Sequence, residues 1–222
     1  IIFFRSISQL FIVSLWIFFS TDTHFFSSRK MLLISRGITS LVCWWLYYLS
    51  FKKLDLALAT TLTFTTSLFA IILAPFFLRE KLGFKRSLTT LFGFIGIFIA
   101  SGMGVINVEL GIVLGLGSAF AGAILMIQNR LLIDTEKTAT IMFWIGLVAT
   151  VGTLPGALIS WTNISVKDYL LLSSAGLLGT FGMLLFVEAF RFGEVASLAP
   201  YPYTRIIFAL LIGYYLFGEV IT

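Results

Sequence analysis

The chain has 222 residues, 59% of them hydrophobic and 11% charged, with a net charge of +5 and a mean hydropathy of +1.05. Soluble domains carry roughly 25% charged residues, so an ordinary soluble fold is excluded. Nucleic acid is excluded as a partner too, because in so apolar a chain a basic excess belongs to membrane-flanking loops.

The apolar residues fall in runs of about 17 to 25, the length a helix needs to cross some 30 Å of hydrocarbon. They lack the alternation of barrel strands. The predicted fold is all-α: one polytopic membrane helix bundle, with the lipid bilayer as its surroundings. Residues 1–20 form the first crossing, with Arg5 near one end. A polar loop with the lone His24 leads to the second, 31–50, which holds Arg36, Trp44, Trp45, Tyr47 and Tyr48. Lys52 and Lys53 mark a tight connection to the third, 56–78. A basic loop, 79–86, precedes the fourth, 87–104, whose Gly93, Gly96, Gly102 and Gly104 permit close helix contact. That glycine face packs either within its own bundle or against a second copy of the chain, as a homodimer. The fifth crossing is 110–128, ending at Gln128-Asn129-Arg130, and the sixth is 139–160. The seventh, 169–190, contains Glu188, and the eighth, 195–218, contains Arg205. The first residue is not Met and the opening residues are already apolar, so a segment upstream is expected.

Basic residues set the orientation. Arg29, Lys30, Arg79, Lys81, Lys85, Arg86, Arg130, Lys137 and Arg191 fall on one side, against Lys52, Lys53 and Lys167 on the other. The richer side is expected to be cytoplasmic. A shift of 139 positions pairs Asp55 with Glu194, Ala57 with Ala196, Phe51 with Phe190 and Glu80 with Glu219. One offset that aligns whole segments marks an internal duplication. The shift spans an odd number of crossings, so the halves, 1–104 and 105–222, are predicted to be inverted. That plan is frequent in secondary transporters.

Three elements carry a family resemblance. Phe77-Leu78-Arg79-Glu80-Lys81 is followed by Phe92-Gly93-Phe94-Ile95-Gly96. Phe3-Phe4-Arg5-Ser6 opens an early helix. Ala196-Ser197-Leu198-Ala199-Pro200-Tyr201 leads to Leu216-Phe217-Gly218-Glu219. Together they span nearly the whole chain, which resembles the drug/metabolite transporter superfamily in its EamA-type branch. The resemblance implies a ten-helix plan in two inverted five-helix halves, of which this chain resembles helices two to nine. It implies a multi-pass protein of a bacterial plasma (inner) membrane that carries a small-molecule solute. Members with similar elements resemble uptake systems for S-adenosylmethionine or riboflavin, and others resemble exporters of amino acids and drugs. The shared motif is scaffold and chooses no substrate.

An ionisable side chain at the centre of a membrane helix costs at least ~2.5–3.5 kcal/mol, so such a residue faces a polar cavity or a partner. Arg205, about ten residues into its segment, is expected to pair with Glu188, to bind solute, or both. Arg5 and Arg36 lie nearer helix ends, where snorkelling to the interface competes with a solute role. Pro200 and Pro202 break the eighth segment, and Tyr201 and Tyr203 beside the break can stack on a planar or cationic solute or sit in an interfacial belt. The repeat sets Thr61 and Phe64 opposite Pro200 and Tyr203. Trp44 lies on a helix that the resemblance places beside the cavity. The candidate solute residues are therefore Arg205, Glu188, Tyr201, Tyr203, Thr61, Phe64, Arg36 and Trp44. Glu80 and Glu219 read as loop anchors.

No nucleophile constellation, His-rich metal set or phosphate-binding glycine loop is present, and the lone Cys43 forms no cluster. Neither catalytic residues nor a cofactor are expected. A gradient-driven carrier follows, with Glu188 as its protonation candidate and a cavity near the midplane between the halves. The alternative is a non-transporting scaffold or a degenerate remnant of a carrier.

Overall fold

The computed structural model describes residues 2–20, 25, 27, 29–54, 56–78, 83–100, 110–159, 165–205, 207, 208, 211 and 215. Helices α1 (Ile2–Phe19), α2 (Lys30–Phe51), α3 (Leu56–Leu78), α4 (Phe84–Ala100), α5 (Leu110–Ile133), α6 (Thr138–Ile159) and α7 (Val166–Phe192) follow in order. A four-residue α8 (Val195–Leu198) and a 3-10 turn, Tyr201–Tyr203, come after them. The described residues contain no strand. Among the described residues six helices are long and apolar enough to cross a membrane: α1, α2, the Ala59–Leu78 part of α3, α5, α6 and α7. In α4 the apolar stretch is the shorter Ser87–Gly96. Large apolar side chains remain exposed on these helices, among them Phe18 at 76%, Ile99 at 71% and Leu178 at 74%. Water would not tolerate that surface; lipid does. The chain is an integral, multi-pass membrane protein.

The helix ends follow from local chemistry. α7 begins three residues before the predicted crossing because Ser165 and Asp168 form a capping box. The Ser165 hydroxyl accepts from the Asp168 amide, and the Asp168 carboxylate accepts from the Ser165 amide, both at 3.2 Å. α5 runs on to Ile133, past the predicted end at 128, because arginines from other elements satisfy its last carbonyls. Arg29 Nη1 donates to the Leu131 carbonyl (2.9 Å) and Arg191 Nη1 to that of Ile133 (3.2 Å). Gln128 and Asn129 therefore lie inside the helix. The eighth segment is interrupted, as its prolines require: α8 stops at Leu198, and Pro200 precedes the 3-10 turn that contains Pro202.

The chain forms two compact units, residues 1–45 with 125–193, and 46–124 with 194–222, so the division falls inside α2 and α5. In the first unit α1 packs on α6 and α7. A Cβ at Gly146 would lie 3.2 Å from the Leu10 backbone, which is how closely α6 approaches α1. Gln9 Nε2 donates to the Met142 carbonyl at 3.0 Å, and Val13, Ile17, Ala139 and Met142 form the buried cluster beside it. In the second unit α3 packs on α4 and α8, with Ile71, Ala196 and Ala199 buried together. There Ser50 Oγ donates to the Gly111 carbonyl (2.9 Å).

Candidate solute site

In the second unit, α3 presents a run of hydroxyls and one ring, Thr60 through Ser67 with Phe64 at its centre. Phe64, Thr61 and Ser67 are buried. The proline break turns the chain so that Tyr203 packs edge-on against Phe64, ring centroids 5.6 Å apart. These two positions are the pair equated by the 139-residue shift. The Tyr203 hydroxyl donates to the Thr90 carbonyl (3.2 Å) on α4 and lies 3.5 Å from the Phe64 carbonyl on α3. Its ring occupies the space a side chain at position 93 would need: a Cβ on Gly93 would lie 2.6 Å from it. The ring is wedged between two helices and is not free to stack on both faces.

Two residues further on, Arg205 Nη2 donates to Thr63 Oγ1 (3.3 Å), and its guanidinium carbon lies 4.9 Å above the Phe64 ring. Thr63 can accept because its own proton goes to the Thr60 carbonyl (2.6 Å). Arg205 is exposed, and both its partners are neutral. A guanidinium held this way is fixed in position but keeps unused donors for an acceptor. Phe64, Tyr203 and Arg205 thus form one cluster, with Thr61 one turn away on α3. Tyr201 is 66% exposed and stands outside it.

The remaining candidates lie in the first unit. Glu188 accepts from Thr138 Oγ1 and is ion-paired with Arg191, one turn along its own helix at 2.7 Å. Its ionic partner within the unit is Arg191. Trp44 carries the Arg5 guanidinium over its ring at 5.0 Å, so that face is already taken by a cation. Arg36 does not snorkel. It is 0% exposed, donates from Nε to Asn129 Oδ1 (2.8 Å) and from Nη1 to Ser40 Oγ. Snorkelling needs an open route to the interface, and α5 closes that route with Asn129. The residues missed in the sequence are Thr63, Gln128 and Asn129. The signal for the last two was a pair of amides ending an apolar run, which reads as a helix terminus until the arginine caps are known. Glu80, Glu219 and His24 lie outside the described residues. Among the described residues no group of His, Cys, Asp or Glu could hold a metal ion.

The EamA-like transporter family matches residues 1–102 and again 109–222. The chain is 28% identical over 199 residues to an S-adenosylmethionine uptake transporter of Rickettsia bellii, covering 90% of this chain and 66% of that protein. It is 29% identical over 178 residues to an uncharacterized transporter of Helicobacter pylori, covering 77% and 60%. It is 27% identical over 177 residues to a riboflavin transporter of Vibrio cholerae, covering 79% and 59%. The chain therefore spans about two thirds or less of the length of each of these relatives.

Proposed function

The chain belongs to the EamA-like transporter family, and we propose that it is the greater part of a secondary carrier that moves a small metabolite across a bacterial inner membrane by alternating access. The names of its relatives, uptake transporters for S-adenosylmethionine and for riboflavin, support small-metabolite uptake. The observation that carries the residue assignment is Arg205, a guanidinium in a predicted membrane segment whose partners among the described residues are a hydroxyl and a phenyl face. It sits beside a proline-broken helix, and broken helices supply the polar groups of many carrier sites. In this reading Arg205 engages an acceptor group of the solute. Phe64 and Tyr203 hold its geometry, and the α3 hydroxyls line the approach.

The two family matches support two halves of one design, 1–104 and 105–222, and the odd number of crossings between repeat mates supports their inversion. Positions exchanged by a two-fold axis touch only near that axis, and Phe64 and Tyr203 touch. In this reading the relating axis passes near that pair.

The test is uptake by proteoliposomes containing the full-length protein, with labelled S-adenosylmethionine, riboflavin and amino acids, each with and without a proton gradient. Saturable movement of one compound, lost in Arg205→Ala protein that still inserts and folds, is expected. Undiminished transport by that variant removes Arg205 from the site, and no movement of any compound by folded protein favours a scaffold or remnant.

A further inference from the structure

Five buried side-chain polar atoms among the described residues have no hydrogen-bond partner; two of them, Arg36 Nη2 and Asn129 Nδ2, belong to side chains joined by a hydrogen bond, and a third, Gln128 Oε1, is on the residue next to Asn129. Arg36 and Asn129 are both 0% exposed. The orientation of the Asn129 amide is set by Arg36. Its oxygen must face the Nε–H that donates to it at 2.8 Å, so its nitrogen is a donor turned elsewhere. Arg36 Nη2 shares a carbon with Nε, and Asn129 Nδ2 shares a carbon with Oδ1. The two vacant donors therefore flank the ends of a single hydrogen bond. Gln128 is fixed by its neighbours as well. Its Nε2 lies 3.4 Å from Ser35 Oγ and 3.3 Å from Thr39 Oγ1, hydroxyls whose protons go to the Leu32 and Ser35 carbonyls.

The charge balance points the same way. Arginine stays protonated at neutral pH, and a buried charge without a counter-charge is costly. No salt bridge to Arg36 exists among the described residues; its hydrogen-bond partners are an amide and a hydroxyl, and the titratable group that faces it is the Cys43 thiol, neutral in its ordinary form. Arg5 and Arg205 are likewise held by neutral groups, Trp44 in one case and Thr63 with Phe64 in the other. A water molecule would satisfy the vacant donors but leave the charge uncompensated. A two-oxygen anion does both, because paired N–H donors match a carboxylate.

We propose that Arg36 and Asn129 form a buried anion site that takes a carboxylate group. Arg36 lies six residues from the start of α2 and Asn129 four from the end of α5, so the site is roughly 6–9 Å inside one end of these helices at 1.5 Å per residue. The inference rests on the carrier reading only for the source of the carboxylate, a transported solute; the binding itself does not depend on transport.

The experiment is thermal unfolding of the full-length protein in lipid nanodiscs, with acetate replaced stepwise by chloride at fixed pH and ionic strength. Wild-type protein is expected to gain Tm saturably with acetate. Asn129→Asp places a carboxylate against Arg36 within the chain. It is expected to unfold at a higher temperature without acetate and to need about tenfold more acetate for any further shift, or to show none. Arg36→Met should lose the response, and Lys53→Gln, on an exposed turn, should keep it. A flat wild-type response, an equal response to chloride, or a response that survives in both Asn129→Asp and Arg36→Met overturns the proposal. Should proteoliposomes move none of the compounds while the acetate shift persists, the carrier reading fails and the site stands; should they move only solutes without a carboxylate, the carrier reading stands and the solute is not the source of the anion.

Discussion

Arg205 sits above the Phe64 ring with Thr63 as its hydrogen-bond partner, and each of the three constrains it differently. Thr63 sets where the guanidinium points, the ring sets its height, and neither neutralises its charge. Arg205→Lys should therefore keep part of the transport activity that Arg205→Ala loses, because a point charge survives without the planar fork. Thr63→Val removes the acceptor at nearly constant volume and should weaken transport by about tenfold, the scale of one exposed hydrogen bond from a charged donor. Both are read as initial uptake rates normalised to inserted protein. Gly93 gives a second residue-scale test. Alanine there meets the Tyr203 ring at 2.6 Å, so Gly93→Ala should destabilise by about 1–3 kcal/mol, the usual cost of overpacking. In a Tyr203→Ala background most of that cost should vanish, and the coupling is read from a double-mutant cycle. Additive effects would show that the two positions do not touch.

Among the elements, the clearest local rule is at the start of α7. Ser165 and Asp168 cap each other's backbone, so Ser165→Ala should cost ~1 kcal/mol of stability, measurable as a lower unfolding temperature with unchanged membrane insertion. The motif is legible in the sequence as Ser-x-x-Asp before an apolar run. Even so, the predicted crossing began at 169, because Lys167 and Asp168 read as loop. The break at Pro200–Pro202 was fully legible, since proline removes a donor and clashes with the preceding turn. What the break is for was not legible. Only packing shows that it seats Tyr203 between α3 and α4. The end of α5 could not be read either, because the groups that satisfy its carbonyls, on Arg29 and Arg191, are remote in sequence.

For the whole molecule, the prediction concerns topology. Single cysteines placed at Lys81 and Lys137 in a Cys43→Ser background should be labelled by a membrane-impermeant reagent only from the cytoplasmic side, and one at Lys167 only from the other. Labelling of all three from one side would dissolve both the orientation and the inverted halves.

Composition and the lengths of the apolar runs determined by themselves that this is an all-α membrane protein, since both the polarity of a bilayer and its thickness act on residues locally along one helix. The repeat motifs likewise identified the family, because they lie within contiguous stretches. Tertiary structure alone decided the partners. Glu188 takes Arg191 and Thr138, Arg36 takes Asn129 and Ser40, and Trp44 takes Arg5. Which helix supplies a buried polar group with its hydrogen bond depends on packing between segments far apart in the chain, and no local pattern encodes that.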